Sequence, residues 1–322
     1  GNSKNGISVK NSNKTTISGN TVKNNGNTST NGSGIYLENS TNLNINSNQI
    51  NENFYGITVN NITNATISNN KFLNNARDGI LLNGIVKNIT ISSNTMQKND
   101  NGINVNCASE HLTIRANLIT DSQYKVSSQR MYHGSGIFLG EKYAASSTFL
   151  VEHNVIRNNA NMDFRSCQAA GTYIRGSNWY GTGCKQVTYD PQMTMKILKT
   201  GKNAFTVLFY DGLTGKIVTD LPSIAITIMN GAYSQTVMTT NGMATAIFES
   251  LANGDVVGSA YDITVSTAYN SIITVLDGSS NGGSDSGKTD DGQGNGQGSG
   301  SNTGTGTGGG SGSGTSGSSS GS

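Results

Sequence analysis

The chain has 322 residues, room for two or three domains, with 42 glycines, only 2 prolines and 12% charged residues. Asn supplies 31 of the first 122 residues, a composition that by itself suggests disorder, yet the Ile, Val and Leu among them recur at fixed positions and so organise apolar surface for burial. The net charge of +2 divides into 16 Lys/Arg against 9 Asp/Glu up to residue 185 and 5 against 10 after it; with few aromatics beside the basic residues and no nucleic-acid motif, this reads as a solvated basic surface, and no run of about 18 apolar residues offers a membrane span.

Gly1 stands inside a repetitive region with no leader before it, so the expectation is a processed chain or a fragment. The repeat opens with Gly-Ile-x-aliphatic at Gly6, Gly34, Gly56, Gly79, Gly102 and Gly136. Each unit then carries an aliphatic residue three before an Asn: Ile17 and Asn20, Ile45 and Asn48, Ile67 and Asn70, Ile91 and Asn94, Ile114 and Asn117, Val151 and Asn154. From the second unit to the fifth the glycines are 22, 23 and 23 residues apart, too short for the helix pairs of α-solenoids. Period-two alternation within Gly-Ile-x-Val sends side chains alternately inward and outward, and three short strands per turn stack in parallel at about 4.8 Å. The reading is a right-handed parallel β-helix of about seven rungs over residues 1–185. A buried corner leaves backbone groups needing partners, and an Asn amide both donates and accepts, so Asn20, Asn48, Asn70, Asn94, Asn117 and Asn154 read as a structural ladder. Asn178-Trp179-Tyr180-Gly181 repeats the spacing with the only Trp of the chain and reads as an irregular closing rung.

Two longer steps, from Gly6 to Gly34 and from Gly102 to Gly136, mark insertions in turns. The larger, Gln123 to Ser135, gathers Lys125, Arg130, Tyr132 and His133 and is the candidate binding loop, because insertions on repeat scaffolds often carry binding. Cys107 reads as a small buried apolar residue, while Cys167 and Cys184 flank the end of the repeats and leave a disulfide and two free thiols equally open. No cysteine or histidine spacing suggests a metal, and no cofactor is expected.

After Pro191 come short alternating strands, 193–197, 205–209, 224–228, 236–238, 244–248, 263–265 and 272–275, separated by turn signals such as Asp211-Gly212 and Asn241-Gly242. About seven strands predict an Ig-like β-sandwich over 186–277 without an internal disulfide. From Gly278 to Ser322 there is no aliphatic or aromatic residue, so 278–322 is expected to be a disordered Gly/Ser-rich linker, one that implies a further anchor or domain.

The Gly-Ile-x-Val and Ile-Ser-x-Asn rungs, the Ser177-Asn178-Trp179-Tyr180-Gly181 element, and Asp190-Pro191-Gln192-Met193-Thr194-Met195 with Asn241-Gly242-Met243-Ala244-Thr245-Ala246 together resemble the adhesin-like surface proteins of methanogenic archaea. Tyr180 stands where that family's closing element has a second Trp. The resemblance covers residues 5 to about 276 and implies an extracellular, cell-surface or wall-associated protein that binds a glycan, a wall polymer or a protein of another cell. Asn-x-Ser/Thr sequons at Asn13, Asn27, Asn31, Asn39, Asn61, Asn64 and Asn88 fit that location.

The rival reading is a polysaccharide lyase, hydrolase or epimerase on the same coil. Those chemistries need paired carboxylates or a carboxylate cluster with a basic residue, whereas the repeats contain no Asp-Asp or Glu-Asp pair and, except by chance, at most one acid at a given aligned position. The best candidate set, Tyr132 and His133 with Glu152 and His153, has a plainer account, since Glu152 aligns with Arg115 one rung earlier as an ion pair. No catalytic residue is therefore assigned.

Overall fold

The computed structural model describes residues 1–125, 133–140, 149–167, 174–180 and 192–276, all β-strand, turn and loop, with no helix among them. The repeats form a parallel β-solenoid. One stack takes the strands Ile7–Lys10, Ser33–Asn46, Tyr55–Ser68, Ile80–Ser92, Ile103–Val105, Ile137–Leu139 and Phe164–Ser166 in order. A second takes Thr21–Lys23, Gln49–Asn51, Lys71–Leu73, Thr95–Gln97, Leu118–Thr120 and Val155–Arg157. The coil thus makes six full turns and a partial further one. Of the three expected stretches per turn, two merge in mid-coil: Ser33–Asn46, for example, bends through its corner as one strand.

Register follows the repeat. Ile35, Ile57, Ile80, Ile103 and Ile137 pair in line, as do Ile45, Ile67, Ile91, Ile114 and Val151, and all ten are buried. Glycine opens each unit because successive turns approach closely there. A Cβ on Gly56 would lie 2.3 Å from the Gly79 carbonyl oxygen, and one on Gly102 would lie 2.3 Å from Ile119 Cγ2.

Corners are turned by single left-handed residues. Ser47, Asn69, Ser93, Ala116 and His153 have φ of 54–56°, and each directly precedes a ladder Asn. At every step from Asn20 to Asn154 the backbone N–H and side-chain Nδ2 both donate to Oδ1 of the next Asn, at 2.9–3.1 Å, and the last step ends on Asn178. From Asn48 onward each Nδ2 also donates to a backbone carbonyl inside the coil, as Asn94 does to Ile67. A second ladder, absent from the sequence reading, runs five residues further on through Asn25, Asn53, Asn75 and Asn99. It stops where Ser122 has no amide to continue it.

Residues 194–268 form two antiparallel sheets, one of three strands and one of four. Their inner faces, including Met195, Ile197, Phe205, Val207 and Phe209 from one and Ile226, Ile228, Val256 and Ala260 from the other, share one core, which makes a sandwich. The strand set differs from expectation in two places. Ile272–Val275 is not a strand, and Ile272 and Val275 are exposed. The seventh strand is instead Asp255–Ala260, whose inward positions are small because Val207 and Ile197 press on it: a Cβ on Gly258 would meet Val207 Cγ2 at 2.6 Å.

Gly1–Gly282 is one compact unit. The boundaries expected at 185/186 and 277/278 fall outside the described residues, as does the 278–322 segment. The closing rung works differently from a simple end cap. Tyr180 points into the solenoid core, while neighbouring Trp179 points into the sandwich core, edge-on to Phe209 with ring centroids 5.0 Å apart. Val155 and Leu118 join it there, so the sandwich docks on the outward row of the last turns.

Candidate functional site

In two successive turns the corner that leads into the Gly-Ile strand carries charged residues. Arg77-Asp78 precede Gly79, and Asp100-Asn101 precede Gly102 one turn later. Asp78 is buried and accepts from Asn101 Nδ2 at 2.6 Å and Asn104 Nδ2 at 3.1 Å. Burial, reinforced by the nearby Asp100 charge, pushes its carboxyl up to about 7. Asn104 Oδ1 is a buried acceptor without a partner. Turning that amide over would set its oxygen against Asp78, a contact that uses the proton burial already favours.

Asp100, fully buried, accepts from His133 Nδ1 through Oδ2 and from the Lys125 backbone N–H through Oδ1 at 3.2 Å. His133 Nε2 faces Arg77 Nη1 at 3.4 Å, and a guanidinium only donates, so this nitrogen accepts and the ring is held as the Nδ1–H tautomer. Arg77 in turn lies over the Phe54 ring at 5.6 Å.

On the solvent side of this network is a cleft of about 310 Å³ lined by Gly26, Asn27, Thr28, Glu52, Asn53, Phe54, Ala76, Arg77 and Lys125. Both insertions contribute walls, Gly26 to Thr28 from the first and Lys125 from the second. Lys125 Nζ donates to Asn74 Oδ1 at 2.6 Å, and burial lowers its pKa against the opposing pull of Asp100. The cleft therefore presents two cations, one carboxylate (Glu52) and amide groups, while Asp78 and Asp100 stay behind the wall.

Of the four loop residues singled out in the sequence, Lys125 lines the cleft, His133 is buried behind it at 2% exposure, and Arg130 and Tyr132 lie outside the described residues. His133 consequently buttresses the wall and is not an exposed contact, because Asp100 and Arg77 hold both ring nitrogens. The set of His133 with Glu152 and His153 is not assembled. His153 is instead held by Asp220 and Asp211 of the sandwich, and Glu152 faces Arg115 at 3.9 Å. Cys107 is buried, with its thiol pushed up to about 11 by burial. Cys167 carries a free thiol, and Cys184, the other half of the pairing left open above, lies outside the described residues. Among the described residues no group of three or more His, Cys, Asp or Glu could hold a metal.

The acid pair escaped the sequence reading because Asp78 and Asp100 occupy non-equivalent positions, one and two residues before their glycines. Comparing only aligned positions cannot find such a pair. The usable signal was charge immediately before Gly-Ile in two successive units.

A parallel solenoid with ladder-stabilised corners and a side cleft is thus defined, and a family comparison agrees with the solenoid. The family model described as right-handed β-helix region matches residues 5–179, more than half of the chain, and the chain belongs to that family. No curated protein matches the chain. Among solved structures, the chain is similar to one titled a crystal structure of pectate lyase Pel9A, at 11% identity and a TM-score of 0.21, covering 54% of this chain and 47% of that one. The chain therefore spans about half the length of that protein.

Proposed function

We propose that this is an extracellular, surface-associated binding protein of adhesin type that retains a glycan or cell-wall polymer through the side cleft. The observation that carries the reading is the division of labour at the wall. Arg77 and Lys125 reach the cleft with a single carboxylate, Glu52, whereas Asp78 and Asp100 are buried and already engaged by Asn101, Asn104 and His133, so no carboxylate pair of the kind glycoside hydrolysis uses faces the cleft. Two cations with amide neighbours suit an acidic or sulfated sugar, which a guanidinium can grip with two parallel hydrogen bonds. The resemblance to archaeal adhesin-like proteins supports the same reading. So does the exposure of all seven sequon asparagines, which fits a glycoprotein of the cell surface.

The test is retention on isolated cell wall and on a glycan array, comparing the wild type with Arg77→Ala/Lys125→Ala. The double variant should lose at least about tenfold in retention, since two charge-assisted contacts are removed. Undiminished retention would move the contact surface elsewhere.

A second reading, a polysaccharide-active enzyme, is favoured by one feature: two neighbouring buried carboxyls in different surroundings, Asp78 pushed up to about 7 by burial and Asp100 facing His133. Release of reducing or unsaturated ends from uronate polymers by the wild type, abolished in Asp78→Asn, would decide for it.

A further inference from the structure

We propose that His153 is a protonation-dependent bolt that locks the sandwich onto the solenoid. His153 stands at a left-handed corner beneath the last turns, half-buried, with φ of 54°. Its Nδ1 lies 2.6 Å from Asp220 Oδ1 and its Nε2 lies 3.3 Å from Asp211 Oδ2. Both aspartates belong to the loops between the strands Ala204–Tyr210 and Ala225–Asn230 of the sandwich. An ionised carboxylate only accepts, so both ring nitrogens must carry hydrogen for both contacts to form, and only imidazolium satisfies that. A neutral ring leaves one nitrogen lone pair facing a carboxylate.

The other groups around the ring consolidate this arrangement. From the solenoid, Arg115 Nε donates to Asp220 Oδ2 at 3.0 Å, Ser177 Oγ donates to Asp211 at 2.5 Å, and Glu152 adds a further negative charge. From the sandwich, the Thr214 hydroxyl and the backbone N–H groups of Leu213 and Thr214 donate to Asp211. Burial lowers the His153 pKa, but Asp220, then Glu152 and Asp211, outweigh it and hold the ring above its ordinary value. Burial likewise opposes ionisation of Asp211 and Asp220, yet their donors bring both down to about 2.

The sign follows from linkage. A base with a raised folded pKa contributes its full stability below the unfolded value near 6.5, and that contribution is lost as pH rises through the folded value. The two aspartates contribute above their unfolded value near 3.9 and lose it only as pH falls toward 2. The joint is therefore tight from weakly acidic to neutral pH and loosens on the alkaline side.

Trp179, the only tryptophan in the chain, sits in this joint against Phe209 and is a built-in reporter. The full chain should show a red shift of its emission maximum between about pH 6 and about pH 9, with a midpoint equal to the His153 imidazole titration seen by NMR. In His153→Gln the shift should vanish. In Asp220→Asn, which spares the ring, the His153 titration should move down toward the ordinary histidine value and carry the emission midpoint with it. Asp78 also titrates near neutrality, but it does so in all three proteins. An emission maximum constant over this range, or one that moves equally in His153→Gln, overturns the proposal, as does a titration unchanged by Asp220→Asn.

Discussion

Two histidines meet two kinds of neighbour in this molecule, and the contrast explains what each can do. His133 lies between an acceptor, Asp100, and a donor, Arg77, so a ring that donates from Nδ1 and accepts at Nε2 satisfies both. His153 lies between two acceptors, so its contacts are complete only when it is protonated. The first cluster lies within one wall of the solenoid, with only Arg77 reaching the cleft. The second joins two parts of the chain 58 and 67 residues apart and keeps contact with water. Residue type is the same in both places; the donor or acceptor character of the partners separates a buttress from a switch.

The contrast breaks most sharply at Asp100. Replacing it with Ala strips His133 Nδ1 and the Lys125 N–H of their acceptor and leaves Arg77 without its nearest carboxylate, all at a fully buried position. Denaturant unfolding at neutral pH should show a loss of about 3–5 kcal/mol. A loss below about 1 kcal/mol would mean that the wall does not rely on this network.

Asp78 supplies the next largest effect, with pH behaviour of the same sign as the joint. Its carboxyl is about 7 in the folded chain and near 3.9 when unfolded, so the unfolded state sheds its proton first and stability falls as pH rises from about 4 to about 7. Asp78→Asn mimics the protonated form and should be more stable than the wild type by about 1–3 kcal/mol at pH 8, with the difference shrinking toward pH 4. Equal pH profiles for the two proteins would show that Asp78 is ionised in the wall.

At the joint, Arg115→Met removes the contacts to Asp220 and Glu152 from a side chain that is 43% exposed, so the cost should be only about 0.5–1 kcal/mol. The same change should raise the His153 titration slightly, because a competing cation is lost. NMR titration of the variant checks this directly.

The smallest effect belongs to the corner itself. Ala116 sits at φ 55° directly before Asn117, a conformation that costs a non-glycine residue about 1 kcal/mol. Ala116→Gly should therefore be neutral to stabilising by about 0.5 kcal/mol, the relief being offset by greater freedom of the unfolded chain, whereas Gly at an interior strand position such as Thr113 should destabilise. Thermal melts of the two variants side by side distinguish them.

Much of the solenoid was legible in the primary structure because its interactions are local and repeated. The Gly-Ile strands, their register and the six ladder asparagines follow from spacing, since each turn buries the same positions as the last. The second ladder was equally legible, as an Asn five residues after the first at Asn25, Asn53, Asn75 and Asn99, and went unread. So did a switch in the outward row from Thr21, Gln49, Lys71 and Thr95 to Leu118, Val155 and Trp179, which marks where the sandwich docks. The sandwich was read less completely. Asp255–Ala260 carries small inward residues to make room for Val207, so its apolar alternation is weak, while Ile272–Val275 has the pattern without a place in either sheet.

What sequence alone determined, then, is the coil, because a period of about 23 residues dictates which side chains stack. What only tertiary structure decided is the chemistry of its charged groups. The pairing of Asp78 with Asn101 and Asn104, of Asp100 with His133, and of His153 with Asp211 and Asp220 crosses turns or joins distant segments, and ionisation depends on burial and on the partner's donor or acceptor character, neither of which a linear pattern contains.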